Sequence, residues 1–107
     1  MRHAERAAAN ESTFRQANEA LEEKADQITG RMRPTPYLCE CENERCMQVI
    51  TLTRDQYEAV RANPRTFVVV VGHQSPQDRV INEQAQFTVV EKTGDEGELV
   101  EEGDPRS

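Results

Sequence analysis

The sequence predicts an α+β fold in which a small, mainly antiparallel β-sheet is joined to a long N-terminal helix and one or two short helices. Three observations predict it. Apolar residues recur every seventh position through the first thirty residues, a helical period. Short apolar or alternating runs bounded by polar turns follow between Tyr37 and Lys92, the signature of strands. A capping sequence at Thr53 then opens a short helix between two of those runs.

In the first segment Ala7, Phe14, Leu21 and Ile28 form the stripe, with Ala17 and Ala25 near it and charged residues elsewhere. Gly30 is a plausible stop. With only three large apolar residues and Lys24 at a seam position, the stripe predicts a helix folded back on its own domain rather than a self-sufficient coiled coil. The same stripe is the surface through which two copies would form a homo-dimer. Arg33-Pro34-Thr35-Pro36 breaks the pattern, because proline disfavours helix in the residue before it and donates no backbone hydrogen bond.

Tyr37 to Cys41 and Cys46 to Leu52 read as the strands of a hairpin joined by the polar turn Glu42-Asn43-Glu44-Arg45. Thr53-Arg54-Asp55-Gln56 has capping-box form, and Leu52 and Tyr57 are spaced as a hydrophobic staple. The helix that follows buries Tyr57 and Val60 and ends at Asn63-Pro64. Thr66 to Val71 is apolar from Phe67 onward, as in a central strand covered on both faces. Ser75-Pro76-Gln77-Asp78 resembles a second helix start leading through Val80, Ile81 and Ala85, and Gln86 to Lys92 reads as the last strand.

Composition sets the domain organisation. Of 107 residues, 36% are hydrophobic and the net charge is −7, a balance that borders on disorder. Leu, Ile, Val and Phe together number twenty, and fifteen of them fall within residues 37–92. The sequence therefore divides into an N-terminal amphipathic helix and linker (1–36), a core domain (37–92) and an acidic tail (93–107) expected to lack structure. A core this thin is marginal without a covalent, metallic or oligomeric staple.

All three cysteines stand in Cys39-Glu40-Cys41-Glu42-Asn43-Glu44-Arg45-Cys46. In an extended strand, residues two apart share a face, so Cys39 and Cys41 can converge on one ion while the turn returns Cys46 beside them. Zinc prefers four tetrahedral ligands, commonly thiolate and imidazole. His73, after the most apolar strand and next to Gly72, is the candidate fourth ligand; the other histidine, His3, lies at the chain terminus. The expectation is a structural Zn²⁺ knuckle of Cys39, Cys41, Cys46 and His73, with an iron–sulfur cluster as the alternative use of the same ligands. A filled four-ligand shell leaves no position for a reactive water, which argues against hydrolytic catalysis.

The strings Cys39-Glu40-Cys41, Cys46, Asp55-Gln56-Tyr57-Glu58-Ala59-Val60-Arg61-Ala62-Asn63-Pro64, Phe67-Val68-Val69 and Gly72-His73 resemble a group of small, functionally uncharacterised bacterial proteins, mainly actinobacterial, with a CEC…C…EYExVRxxP…FxVxxGH pattern. Glu11 to Glu19 resembles their N-terminal helix, and Gln56 departs from their glutamate. The resemblance implies the same four ligands and no particular activity.

Together these readings predict a non-catalytic zinc-binding protein whose metal supports a protein-interaction module. A redox or metal sensor built on the same thiolates is the alternative. Glu40, Glu42 and Glu44 surround the cysteines with only Arg45 opposing them, so nucleic acid is not the expected partner. The chain has no phosphate-cradling glycine loop or nucleophile elbow, and no enzyme is expected. It lacks an apolar run long enough to span a membrane or to act as a signal peptide, so a cytoplasmic location is expected.

Overall fold

The structure, a computed structural model, describes residues 3–28 and 34–106, the side chains of 25–28 excepted. In chain order the elements are α1 (His3–Ile28), β1 (Thr35–Leu38), β2 (Val49–Leu52), α2 (Arg54–Arg61), β3 (Thr66–Val69), β4 (Arg79–Glu83), β5 (Thr88–Glu91) and α3 (Gly94–Glu102). This is the small α+β fold that the sequence predicts. The predicted stop at Gly30 and the break at Arg33 fall outside the described residues.

The strands form two antiparallel sheets. β1 and β2 pair with Tyr37 opposite Ile50, and β5 is the middle of the order β3-β5-β4, with Phe67 opposite Val90. The core lies between these sheets and α2. Tyr37, Leu52, Tyr57, Phe67, Val68, Val69 and Val90 are among its fully buried members, with the Tyr37 and Tyr57 rings stacked 4.3 Å apart. The α2 capping box is present: Thr53 Oγ1 accepts from the Gln56 N–H at 3.2 Å, and Gln56 Oε1 from the Thr53 N–H at 2.8 Å. Leu52 and Tyr57, on either side of it, are both buried in the core.

Four expectations are corrected. First, β3 is buried throughout but is not central in its ladder, where β5 takes that place. Its outer edge is instead covered by the cysteine segment. The Glu40 N–H donates to the Val68 carbonyl at 2.9 Å, and the Val68 N–H donates to Glu40 Oε1 at 3.2 Å. A strand edge needs its polar groups satisfied, and here one glutamate satisfies both groups of Val68.

Second, the 75–85 segment forms a turn and β4, not a helix. The Ser75 N–H is held by Asp78 Oδ2 at 2.9 Å, closing the turn. β-branched Val80 then joins the β5 ladder opposite Val90, with Ile81 at a bulge before Asn82, and this pairing outweighs a local helical pattern.

Third, residues 94–102 form α3, which packs on α1 and buries Val100. The acidic residues that suggested disorder have basic partners elsewhere in the chain: Glu96 faces Lys92, Glu101 faces Arg65 and Asp104 faces Arg61. Gly97 packs so close to the chain that a Cβ there would stand 2.6 Å from the Lys92 carbonyl oxygen.

Fourth, α1 does fold back on the domain, packing on β1 and α3, but its buried face is largely polar. Ala7, Ala8, Glu11, Arg15, Asn18 and Glu22 point inward, whereas Leu21 of the predicted stripe is 38% exposed. Arg15 explains how a charged residue becomes core. Its guanidinium donates to the carbonyls of Pro64 and Thr66 and lies over the Phe67 ring, 3.5 Å from the centroid.

Candidate metal centre

Cys39 and Cys41 follow β1, Cys46 precedes β2 and His73 follows β3. Each offers one ligand atom, and the four atoms all lie within 4.8 Å of one another. His73 Nδ1 is 3.6 Å from Cys39 Sγ and 3.7 Å from Cys46 Sγ. A tetrahedral ion with sulfur at ~2.3 Å and nitrogen at ~2.0 Å sets those two ligands about 3.5 Å apart. Both nitrogen–sulfur separations are therefore close to those around a single tetrahedral ion.

Local structure makes this convergence. The extended backbone puts Cys39 and Cys41 on one side and Glu40 on the other. Asn43 shapes the turn, its carbonyl accepting the Cys46 N–H at 3.0 Å and its side chain the Arg45 N–H at 3.0 Å. His73 is delivered by a turn in which its N–H donates to the Val70 carbonyl at 2.9 Å, with Gly72 at the third position. The φ of +91° at Gly72 is the left-handed conformation that a type II turn requires there.

Each sulfur also accepts a backbone N–H: Cys39 from Val70 at 3.2 Å, Cys41 from Asn43 and Cys46 from Gln48. These donors favour the thiolate form that a metal needs. Within the trio the Cys41 thiol is drawn down to about 5, chiefly by the hydrogen bond from Cys39. That bond, with burial, pushes Cys39 up, and burial pushes Cys46 up. Ionising all three thiols this close together would need a cation among them. The second ring nitrogen of His73 lies 3.5 Å from the Gln48 side-chain amide, whose half-turn would place an oxygen before the ring N–H.

All four predicted ligands are thus brought together, and His3 is elsewhere, its Nε2 3.1 Å from Glu42 Oε2. Sequence reading missed the residues that hold the ligands. It treated Glu40 as part of an acidic surface, but Glu40 is fully buried and accepts from Asn18 Nδ2 at 3.0 Å, the Tyr57 hydroxyl at 2.5 Å and the Val68 N–H. Asn18 further clamps Leu38, accepting its N–H at 2.7 Å and donating to its carbonyl at 2.9 Å, as a neighbouring strand would. The available signal was position: between two cysteines sharing one face of an extended segment, Glu40 must point the other way.

Comparison with protein-family models, curated proteins and solved structures finds no match to this chain. No helix among the described residues is long and apolar enough to cross a membrane.

Proposed function

We propose that Cys39, Cys41, Cys46 and His73 bind one Zn²⁺ in a structural, non-catalytic site that supports a protein-interaction module. The observation that carries this reading is a set of four donors within 4.8 Å of one another, three from one loop and one from the turn after β3. Such an ion ties the β1–β2 hairpin to the β3 side of the core, which is a stabilising role. A complete protein shell leaves no site for activated water. The compact spacing favours one ion over an iron–sulfur cluster, whose ligands stand around several metal atoms. Met47, Val49 and Val71 flank the ligand segments and are 87%, 58% and 53% exposed, which supports a partner-binding face.

Native mass spectrometry of the untagged chain tests the metal, with one zinc per chain expected. Full thermal stability after chelation would refute a structural role.

A redox-sensing use of the same thiolates has one observation behind it: Cys46 is the only one of the three that is not fully buried, so an oxidant meets it first. Zinc release by dilute hydrogen peroxide, reduced to water as two thiolates join in a disulfide, would favour that second reading.

A further inference from the structure

On the far side of the metal loop, carboxylates from three elements meet around one lysine. The Lys92 ammonium, 1% exposed, lies 2.7 Å from Glu11 Oε2, 2.9 and 3.0 Å from the two Asp78 oxygens and 3.6 Å from Glu96 Oε2. Glu42, the residue after Cys41, completes the group. Glu11, Glu42 and Glu96 each bring an oxygen to within 4.8 Å of the others. Three carboxylates thus face a single ammonium, and a fourth, Glu42, stands beside two of them with His3 at 3.1 Å.

Burial makes this imbalance informative. Glu11 is fully buried and Glu96 is 3% exposed, and Glu11 Oε1 has no hydrogen-bond partner among the described residues. Negative charge taken from water needs a compensating proton or cation. Two features favour a cation. Ligand oxygens held at ~2.4 Å around one hard ion lie no more than about 4.8 Å apart, and the three oxygens here fall within that limit. A cleft of about 550 Å³, bordered by His3, Arg6, Asn10, Glu42 and Glu44, gives a hydrated ion access to Glu42, with the Arg6 cation facing the two glutamates at its rim.

We propose that Glu11, Glu42 and Glu96 form a second metal site that takes a hard divalent cation of the calcium type and fastens the cysteine loop to α1 and α3. The site is separate from the thiolates and uses oxygen ligands only. Counting Glu11, Glu42, Glu96, Asp78 and Lys92, the site carries two excess negative charges with a proton on Glu11, and entry of a divalent ion with loss of that proton leaves one.

The test is a calcium titration of the full-length protein as purified, in buffer passed over chelating resin, followed by thermal unfolding. A saturable rise in midpoint is expected, absent with sodium chloride at equal ionic strength. Glu11→Gln should abolish the rise. Because Glu42 is partly exposed, Glu42→Gln should fold and weaken calcium binding at least tenfold. Native mass spectrometry of the same samples reports the thiolate metal separately. If calcium leaves the midpoint of the wild-type chain unmoved, a proton held by Glu11 balances the charge and the proposal is overturned. An equal calcium response in Glu42→Gln would overturn it as well.

Discussion

The Tyr57 hydroxyl donates a 2.5 Å hydrogen bond to Glu40 Oε2, joining the first turn of α2 to the residue between two metal-ligand candidates. Asn18 of α1 and the Val68 N–H of β3 reach the same carboxylate. Three elements that share no backbone hydrogen bonds with one another therefore meet at Glu40. The loop that offers the thiols is held from behind before any ion binds.

Tyr57→Phe removes one donor from a buried carboxylate while keeping the ring that stacks on Tyr37. Hydrogen bonds to charged groups contribute ~1.5–3 kcal/mol, and urea unfolding should show a loss of that order. Support residues behind metal ligands typically change affinity by ~10–100-fold, so zinc competition against a chromophoric chelator should show a weaker site as well. An unchanged zinc affinity would separate Glu40 from the metal and leave it as an anchor for β3 alone.

The contrast between Glu40 and Cys39 shows what the sequence carried and what it did not. The cysteines were legible because three thiols in one short segment are chemically unusual, and His73 because a glycine and the end of an apolar strand mark where a chain can turn. The α2 cap was legible because its signal is local. Glu11, Arg15, Asn18 and Glu22 were not, since a polar residue on a helix reads as solvent-facing until its partner is known, and their partners lie on distant segments. The same reason hid α3: Glu96 and Asp104 count as tail charges in composition, yet in the fold they face buried Lys92 and Arg61. Residues 79–83 were misread because a ladder with β5, set by tertiary pairing, overrode a helical pattern.

Metal removal should be uneven in its effect. The four proposed ligands lie in 39–46 and at 73, so chelation should release the cysteine loop and the turn at Gly72 first. Hydrogen exchange should show amides of 39–49 and 70–73 losing protection while those of β5 and α2 retain more. His73→Ala should reproduce the pattern in milder form, because three thiolates remain. Uniform loss of protection across all strands would mean that the ion is needed for the whole core.

Arg61 ties α2 to the C-terminal segment. Its side chain is fully buried between Glu19 at 2.6 Å and the Asp104 carboxylate, which takes both terminal nitrogens. Arg61→Ala takes the guanidinium from the buried Asp104 carboxylate, while Glu19 keeps Arg106 at 2.8 Å, and should cost about 3–5 kcal/mol by urea unfolding. The pair also sets an acid dependence. Arg61 holds Asp104 below its ordinary 3.8, so the contribution is complete above that value and is lost as pH falls through the lowered one. Asp104→Asn should flatten this acid limb.

Glu11 acts in the opposite direction on the alkaline side. Burial, with the adjoining Glu96 carboxyl, raises it to about 10, while Lys92 partly opposes the rise. Asp78 and Glu42 complete its charged surroundings. Between the ordinary 4.5 and the raised value, the folded chain holds a proton that the unfolded chain has released, so folding stability falls as pH increases. In divalent-free buffer the stability of the wild-type chain relative to Glu11→Gln should decline steadily from pH 5 to pH 9. Subtracting the variant cancels other titrating groups, including Glu22, which is raised to about 7. Calcium should oppose the decline, because an ion at Glu11 replaces the proton it displaces. A pH-independent difference between the two chains would show that Lys92 alone keeps Glu11 ionised throughout this range.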